Sequence, residues 1–364
     1  MPIQDDSNTS LSYAIVGAGM MGREHIQNLA HLAGSKVVAL IDPDEGSRGV
    51  AQTAVGGDVA VFPDLGTALN NENFDAVVIS SPNYTHEEIA IEAIASGKHV
   101  LIEKPLATTV EGCVRIEDVA RKRPSQMVAV GLEYRFMAPT SWLLDRVRSG
   151  VLGDVRLVTV IEHRFPFLDK VGSWNRFNEN TGGTFVEKCC HFFDLMYQVF
   201  GSEPVAVMAS AAETVNHRNE SYGGRTPDIL DNGYVIVEFE GNKRAMLELC
   251  MFAEGSRDEQ VISVVGDAAK AEVRIPSQEC SIGGRSTGRA GVVTRVVESI
   301  APYQGLHHGS SFTEHVEFRK AIFGDDHRLA TLRDGTRSVA IGVAAQRSIA
   351  ERRRVTLSEV GYVA

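Results

Sequence analysis

The sequence predicts an α/β chain in two parts, a parallel-sheet domain followed by an α+β domain with a large open, mostly antiparallel sheet. Three observations carry this. Short apolar runs alternate with helical stretches from Tyr13 to about Leu132, the rhythm of a parallel sheet with right-handed crossovers. A glycine-rich turn, Gly17-Ala18-Gly19-Met20-Met21-Gly22, follows the first of those runs at once. Beyond Leu132 long strands succeed one another with few helices between them, which is the pattern of an antiparallel sheet. At 364 residues the chain has the length of roughly two domains. The expected organisation is therefore a tail over 1–12, a first domain over 13–132 and a second over 133–364.

The first domain opens with the strand Tyr13-Ala14-Ile15-Val16, and a helix reads from about Arg23 to Leu32. Between them lies GxGxxG in its required setting of strand, turn and helix, the fingerprint of a dinucleotide-binding Rossmann domain. The first glycine permits the tight turn, the second lets a pyrophosphate approach the backbone, and the third lets helix pack on strand. Gly17, Gly19, Met20, Met21 and Gly22 are thus candidate cofactor contacts. The next strand, Lys36 to Ile41, ends in Asp42, twenty residues after Gly22. A carboxylate there accepts hydrogen bonds from ribose hydroxyls and repels a 2′-phosphate, so Asp42 favours NAD over NADP. Arg48 stands close enough to meet a 2′-phosphate if its loop folds back, and Asp42 can also serve as a turn former before Pro43.

Asp75 to Ser80 is the next strand, with the loop Ser81-Pro82-Asn83-Tyr84-Thr85-His86 at its carboxyl end. Ligands of open parallel sheets bind at that end, which makes Ser81, Pro82 and His86 further cofactor candidates. His86 fits equally well as a polar residue at a helix start. Glu87 to Ser96 reads as a helix closed by Gly97. The strand Lys98 to Ile102 then delivers Glu103-Lys104-Pro105 to the same edge, and Pro105 ends it because proline cannot donate to a sheet ladder. Lys104 is the candidate proton handler, since lysine works as acid or base once its surroundings move its pKa. A helix over about Val110 to Lys122 and the strand Met127 to Gly131 complete the domain.

In the second domain a helix is expected over Trp142 to Ser149, then strands over 155–163, 205–212, 232–240, 245–252, 260–266 and 271–275. The last helices read from Phe312 to Phe323 and from Asp334 to Glu351. The glycine-rich segment Ser277 to Gly291 reads as a loop. Between the first two strands lies Gly182-Gly183-Thr184-Phe185-Val186-Glu187-Lys188-Cys189-Cys190-His191-Phe192-Phe193-Asp194. As one helix it sets Glu187, His191 and Asp194 on one face. A carboxylate beside an imidazole stabilises the imidazolium, which suits a base working near neutral pH. Competing readings stay open: a capping box of Thr184 with Glu187, or a core histidine. Metal binding is not expected, because Cys189 and Cys190 point away from the Glu187/His191 face.

Composition narrows the partners. The net charge of −11, with no basic block longer than a short run such as Arg352-Arg353-Arg354, speaks against nucleic acid. Those arginines are expected to cap the last helix. No apolar run is long enough to span a membrane, and Met1 to Ser12 lacks a signal-peptide core, so the tail reads as disordered and the protein as cytoplasmic. The five cysteines, at 113, 189, 190, 250 and 280, form no CxxC pair and read as reduced thiols.

Taken together, GAGMMG, the Glu-Lys-Pro tripeptide and the later GGxxxExxxHxxD resemble the glucose–fructose oxidoreductase/inositol dehydrogenase (Gfo/Idh/MocA) family, from Tyr13 to about Thr356. The resemblance implies a substrate-binding and oligomerising second domain, a homodimer or homotetramer built through its sheet, and NAD(P)-dependent hydride transfer with a sugar, cyclitol or glycoside. It places the family lysine on Lys104, in a tripeptide whose Lys104–Pro105 bond is often cis, and the family acid/base histidine on His191. Glu187 falls where the family has aspartate, and Cys189 where it usually has glycine. Asp194 matches a position that can touch substrate, Tyr134-Arg135-Phe136 resembles a stretch lining the site, and Trp174 and Arg176 are candidate sugar contacts by location and chemistry. The catalytic set is thus Lys104, His191 and Glu187, with Glu103 beside the cofactor and Arg135, Trp174, Arg176 and Asp194 towards substrate. Two alternatives remain, a redox-neutral glycosidase or lyase working through a transient keto-sugar, and a non-catalytic NAD-binding regulator. The loops Phe165 to Thr181 and Ser277 to Gly291 are expected to set the substrate.

Overall fold

Buried β-branched runs and glycine or aspartate punctuation decide the first half of the chain. The computed structural model describes residues 10–364, so most of the expected tail lies outside the described residues. Leu11 and Ser12, read as its end, instead open the first strand, where Ser12 is held by the Asp75 carboxylate at 2.8 Å from its backbone N–H. The first half runs β1 (Leu11–Val16), α1 (Met20–Ala30), β2 (Ser35–Ile41), α2 (Glu45–Val55), β3 (Ala60–Phe62), α3 (Leu65–Asn71), β4 (Ala76–Ile79), α4 (His86–Ala95), β5 (His99–Glu103), α5 (Val110–Arg121) and β6 (Val128–Gly131). All pairings are parallel, in the order β3-β2-β1-β4-β5-β6. Both faces of such a sheet are covered, and β4 is accordingly buried at all four of its residues. The segment between β2 and β4, unread in the sequence, holds α2 and α3. Their starts are capped by Asp44 and Asp64, whose side chains accept from Ser47 N–H (2.6 Å) and Thr67 N–H (2.7 Å).

The second half contributes α6 (Ala138–Arg148), β7 (Val155–His163), the short helices α7 (Asn178–Thr181) and α8 (Thr184–Glu187), α9 (Cys190–Phe200), β8 (Pro204–Ala212), β9 (Asn232–Phe239), β10 (Lys243–Cys250), β11 (Gln260–Gly266), β12 (Ala269–Ile275), β13 (Glu279–Gly284), β14 (Val293–Val296), α10 (Ser310–Ile322), α11 (Leu332–Glu351) and β15 (Val355–Thr356). Nine strands form one sheet in the order β14-β13-β12-β11-β7-β10-β9-β8-β15. Every pair is antiparallel except β7 with β10, which run parallel. One face takes the buried alternate residues, such as Val235, Val237 and Phe239 of β9, with α9 and α6 packed on the sheet. The other face leaves Leu157, Met208, Tyr234 and Ile236 exposed.

Three expectations need correction here. Ser277 to Gly291 is not a plain loop, because β13 pairs there with β12 and β14. Its glycines and serines hid a strand whose stability comes from two neighbours rather than from β propensity. The arginines after α11 do not cap it: Arg353 pairs with Glu351 and Glu359, and Arg354 with Glu238. Finally, residues 300–336 pack with the first compact unit (10–107, 111–133 and 300–336) and not with the second (108–110, 134–299 and 337–364). Polar contacts hold them there: Tyr303 and Leu306 donate to Glu24 of α1, and the buried His315 of α10 meets His25 at 2.9 Å.

Candidate active-site residues in the two units

In the first unit the sheet order does the gathering. The strands β2, β1, β4 and β5 lie side by side, so their carboxyl ends bring Asp42, the glycine turn, the Ser81 loop and Glu103-Lys104-Pro105 to one edge. Gly17 has φ +93°, and a Cβ there would stand 2.4 Å from Ser81 N; a Cβ on Gly22 would stand 1.9 Å from Gly17 O. Both positions exclude any side chain. Among the described residues a Cβ on Gly19 would meet nothing within 4 Å, and no side chain caps the start of α1 at Met20 and Met21. Open space before uncapped helix N–H groups is what a pyrophosphate requires, so these residues fit NAD. Asp42 Oδ2 accepts Ala18 N–H (2.8 Å) and its Oδ1 accepts Asp44 N–H (2.8 Å), which fixes the carboxylate against the glycine turn. Arg48 donates to the carbonyls of Asp42 and Pro43, the latter at 3.1 Å, so its guanidinium serves the backbone of that loop.

Ser81 Oγ accepts from Thr85 Oγ1 (2.7 Å), and Pro82 opens the turn Asn83–Thr85. His86 is fully buried, with Nδ1 2.8 Å from the Pro105 carbonyl and Nε2 3.0 Å from the Ser81 carbonyl. It therefore ties two loops of the cofactor edge together, and burial lowers its pKa. Lys104 is half-buried and joined to Pro105 by a cis bond. Its backbone N–H donates to Glu103 Oε2 (3.1 Å), while Glu103 Oε1 lies 3.0 Å from His25 Nε2. Burial pushes the Glu103 carboxyl up, but the His25 hydrogen bond and the positive charges around it win, leaving it at about 2.

In the second unit the expected single helix is interrupted. Glu187 ends α8 and His191 is the second residue of α9, with a turn at Lys188 and Cys189 between them. Both are buried. Thr184 does not close a capping box; its hydroxyl donates to Leu230 O (2.8 Å) and accepts from Leu230 N–H (2.9 Å). Gly183, at φ +97°, lies against Gln346 of α11, where a Cβ would come within 1.9 Å of Nε2. The His191 ring stacks flat on Tyr134, centroids 3.9 Å apart and planes 5° from parallel. Arg135 and Asp194, both expected to face substrate, are buried and paired: Nε donates to Oδ2 at 2.6 Å and Nη2 to Oδ1. Arg176 is 1% exposed and its guanidinium binds Asp169 (2.7 Å) and Glu220 (3.1 Å), so it knots the loop after β7 to the loop after β8. Trp174 sits in the same loop, its carbonyl accepting from Asn180 Nδ2 at 3.0 Å.

Lys188 was not singled out in the sequence. Its ammonium lies 3.0 Å from Glu162 Oε1 of β7 and 5.9 Å from the Tyr134 ring centre, and Arg164 reaches the same Glu162 oxygen at 3.2 Å. Burial lowers the Lys188 pKa, yet the Glu162 charge outweighs that and raises it, so the ammonium persists. The residues His25, His315 and Glu162 were also unread. His25 stands three residues after the last glycine of the turn, on the helix that the motif itself announces; nothing local marks the other two.

Two family models match the chain. The "Oxidoreductase family, NAD-binding Rossmann fold" matches residues 11–132, and the "Oxidoreductase family, C-terminal alpha/beta domain" matches residues 145–357. The chain is 30% identical over 280 residues to inositol 2-dehydrogenase 1 of Saccharopolyspora erythraea, covering 76% of this chain and 77% of that protein. It is 28% identical over 239 residues to 2,7-anhydro-N-acetylneuraminate hydratase of Mediterraneibacter gnavus, covering 66% and 61%. Among solved structures, levoglucosan dehydrogenase in complex with NADH and levoglucosan shares the fold, with a TM-score of 0.83 at 20% identity over 96% of this chain and 100% of that one.

Proposed function

Because the chain belongs to the Gfo/Idh/MocA family of NAD-binding oxidoreductases, we propose that it is a dehydrogenase acting on a ring hydroxyl of a cyclitol, sugar or glycoside. The observation that carries this reading is the placement of Lys104 on the cofactor edge, two strands along the sheet from the glycine turn. NAD, when bound, supplies the hydride acceptor. In this reading Gly17, Gly19, Met20, Met21 and Gly22 receive its pyrophosphate, Asp42 its adenosine ribose, and Ser81 and Pro82 flank its path. His191 takes the proton of the reacting hydroxyl, its ring plane set by Tyr134. The Lys104 ammonium steadies the oxygen as negative charge develops, an electrostatic contribution larger than base catalysis alone. Glu187 orients His191 or holds a neighbouring hydroxyl. Arg135, Asp194 and Arg176 support the substrate side by fixing the backbone around it, and Trp174 offers an apolar face to a sugar ring.

The inositol 2-dehydrogenase relative supports a cyclitol as the first substrate to try. A panel of inositols, sugars and glycosides with NAD and with NADP, followed by cofactor absorbance, tests the reading. Lys104→Met is expected to lower turnover by at least about a thousandfold while NAD binding persists; near-normal turnover in that variant rules out the assignment. The hydratase relative favours one second reading, a redox-neutral elimination or hydration through a transient ketone. Its mark is product release without net NADH.

We further propose a homodimer or homotetramer through the exposed face of the nine-stranded sheet. Met208 and Ile236 sit opposite each other in register there, with Tyr234 two residues along the same strand, an apolar patch that a second copy would cover. Among the described residues no helix is long and apolar enough to cross a membrane. The free cysteines fit a reducing cytoplasm.

A further inference from the structure

Behind Lys104 lies a buried hydrogen-bond chain that the reaction itself does not call for. His25 of α1 places Nε2 3.0 Å from Glu103 Oε1 and Nδ1 2.9 Å from His315 Nε2 of α10. The three residues are 78 and 290 positions apart in sequence and all are at least nine-tenths buried. The two imidazoles meet edge to face, centroids 5.0 Å apart at 89°.

Donor and acceptor rules fix the direction of this chain. A carboxylate only accepts, so His25 Nε2 carries a hydrogen and donates to Glu103. His25 Nδ1 then either accepts from His315 Nε2–H, with both rings neutral, or donates to it as part of an imidazolium. The second arrangement forces the His315 hydrogen onto Nδ1, a buried atom without a hydrogen-bond partner among the described residues. A buried N–H left unpaired costs about 1–3 kcal/mol. The neutral arrangement leaves only a lone pair there. Burial holds the His315 pKa well below its ordinary value, so that ring is neutral in either arrangement. The other titratable groups around the chain are Tyr13 of β1, edge-on to His315 at 6.4 Å, together with Lys104 and His307, whose charges act on Glu103.

We propose that His25 and His315 are positioning residues for Lys104: His315 keeps His25 neutral, His25 fixes the Glu103 carboxylate, and the negative charge of Glu103 is left for Lys104. With a charged His25, the carboxylate would be neutralised from behind and its hold on the lysine weakened. The proposal rests on the reading of Lys104 as catalytic.

The tautomers can be read directly in the full-length protein carrying isotope-labelled histidine ring nitrogens, with His315 assigned by its proximity to the Tyr13 ring. Two neutral rings, each protonated on Nε2 near neutral pH, are expected; a charged His25, or a His315 protonated on Nδ1, overturns the proposal. Kinetics add a second arm. In His315→Leu the donor is gone and His25 is free to take a proton. There kcat should fall about tenfold, the factor one buried hydrogen bond is worth, and the acid limb of its pH profile should move to higher pH, with the Kd for NADH within about threefold. His315→Gln, which keeps an N–H towards His25, should restore both. Ile26→Ala, a core truncation on the same helix, should leave the limb in place. An unmoved limb in His315→Leu, or one moved equally by Ile26→Ala, overturns the positioning role. Lys104→Met separates the two levels: turnover that survives it defeats the lysine assignment, whereas turnover lost there and unchanged in His315→Leu defeats the histidine chain alone.

Discussion

Each unit buries a glutamate, and the two are neutralised by different chemistry. In the first unit Glu103 faces His25, which is backed by His315, and the backbone of Lys104. In the second, Glu162 faces Lys188 and Arg164 at 3.0 and 3.2 Å. Imidazole hydrogen bonds support the first glutamate, which stands behind a proposed catalytic lysine. The lysine and arginine cluster is ionic, and it stands under the Tyr134 ring on which His191 is stacked. A hydrogen-bonded support belongs to the proposed catalytic lysine, and an ionic support to the ring that must hold its plane. That contrast can be broken by experiment at four places.

The largest effect is expected from Lys188→Met. It leaves Glu162 buried with a single cationic neighbour, and breaking such a pair costs about 3–5 kcal/mol in urea denaturation. A loss within experimental error would show that Arg164 alone suffices and that the ionic description of the second unit is mistaken. Next comes acid sensitivity. The folded value of the Glu103 carboxyl, about 2, lies below its ordinary 4.5, so its contribution is complete above about pH 4.5 and disappears as pH falls through about 2. Lys188 has the opposite sign: its pKa is raised, so its contribution is complete below its ordinary 10.5 and is lost only at higher pH. Glu103→Gln should therefore flatten the acid fall in stability, worth up to about 3 kcal/mol for a shift of this size. An unchanged acid profile would place the acid response elsewhere.

Gly22→Ala is a smaller perturbation of the first unit. Its methyl would stand 1.9 Å from Gly17 O, an overpacking that costs about 1–3 kcal/mol and should weaken NAD binding, as read by fluorescence titration. The smallest effect on stability, within about 0.5 kcal/mol, is expected from Ile236→Asp on the exposed sheet face. There the readout is mass by light scattering, and a particle unchanged in size would remove that face from the proposed assembly.

The same contrast explains what could be read in advance. In the first unit the turn Gly17 to Gly22, Asp42, Ser81 and Lys104 each follow a strand in sequence, and a parallel sheet brings strand ends to one edge whatever the loops do. Chain order and chemistry therefore determined the dinucleotide edge. In the second unit the strands were legible because alternation is local, and β11 was read at its observed limits over 260–266. The site was less so. A single helix over 184–194 was a sound reading of spacing, but the chain turns at Lys188 and Cys189, where the buried Lys188 ammonium meets Glu162 from β7. Arg135 and Asp194 looked like separate substrate contacts, and only packing revealed that they hold each other.

The sequence by itself thus determined the two-part α/β architecture, the NAD edge and the identity of Lys104 and His191 as the residues to examine, because each rests on a motif or a period spanning few residues. Tertiary structure alone decided that 300–336 returns to the first unit, that His315 closes a chain through His25 to Glu103, and that Glu162 holds Lys188. The reason is physical: a buried polar group takes whichever partner the packed chain brings within about 3 Å, and that partner can lie hundreds of residues away with no local signature.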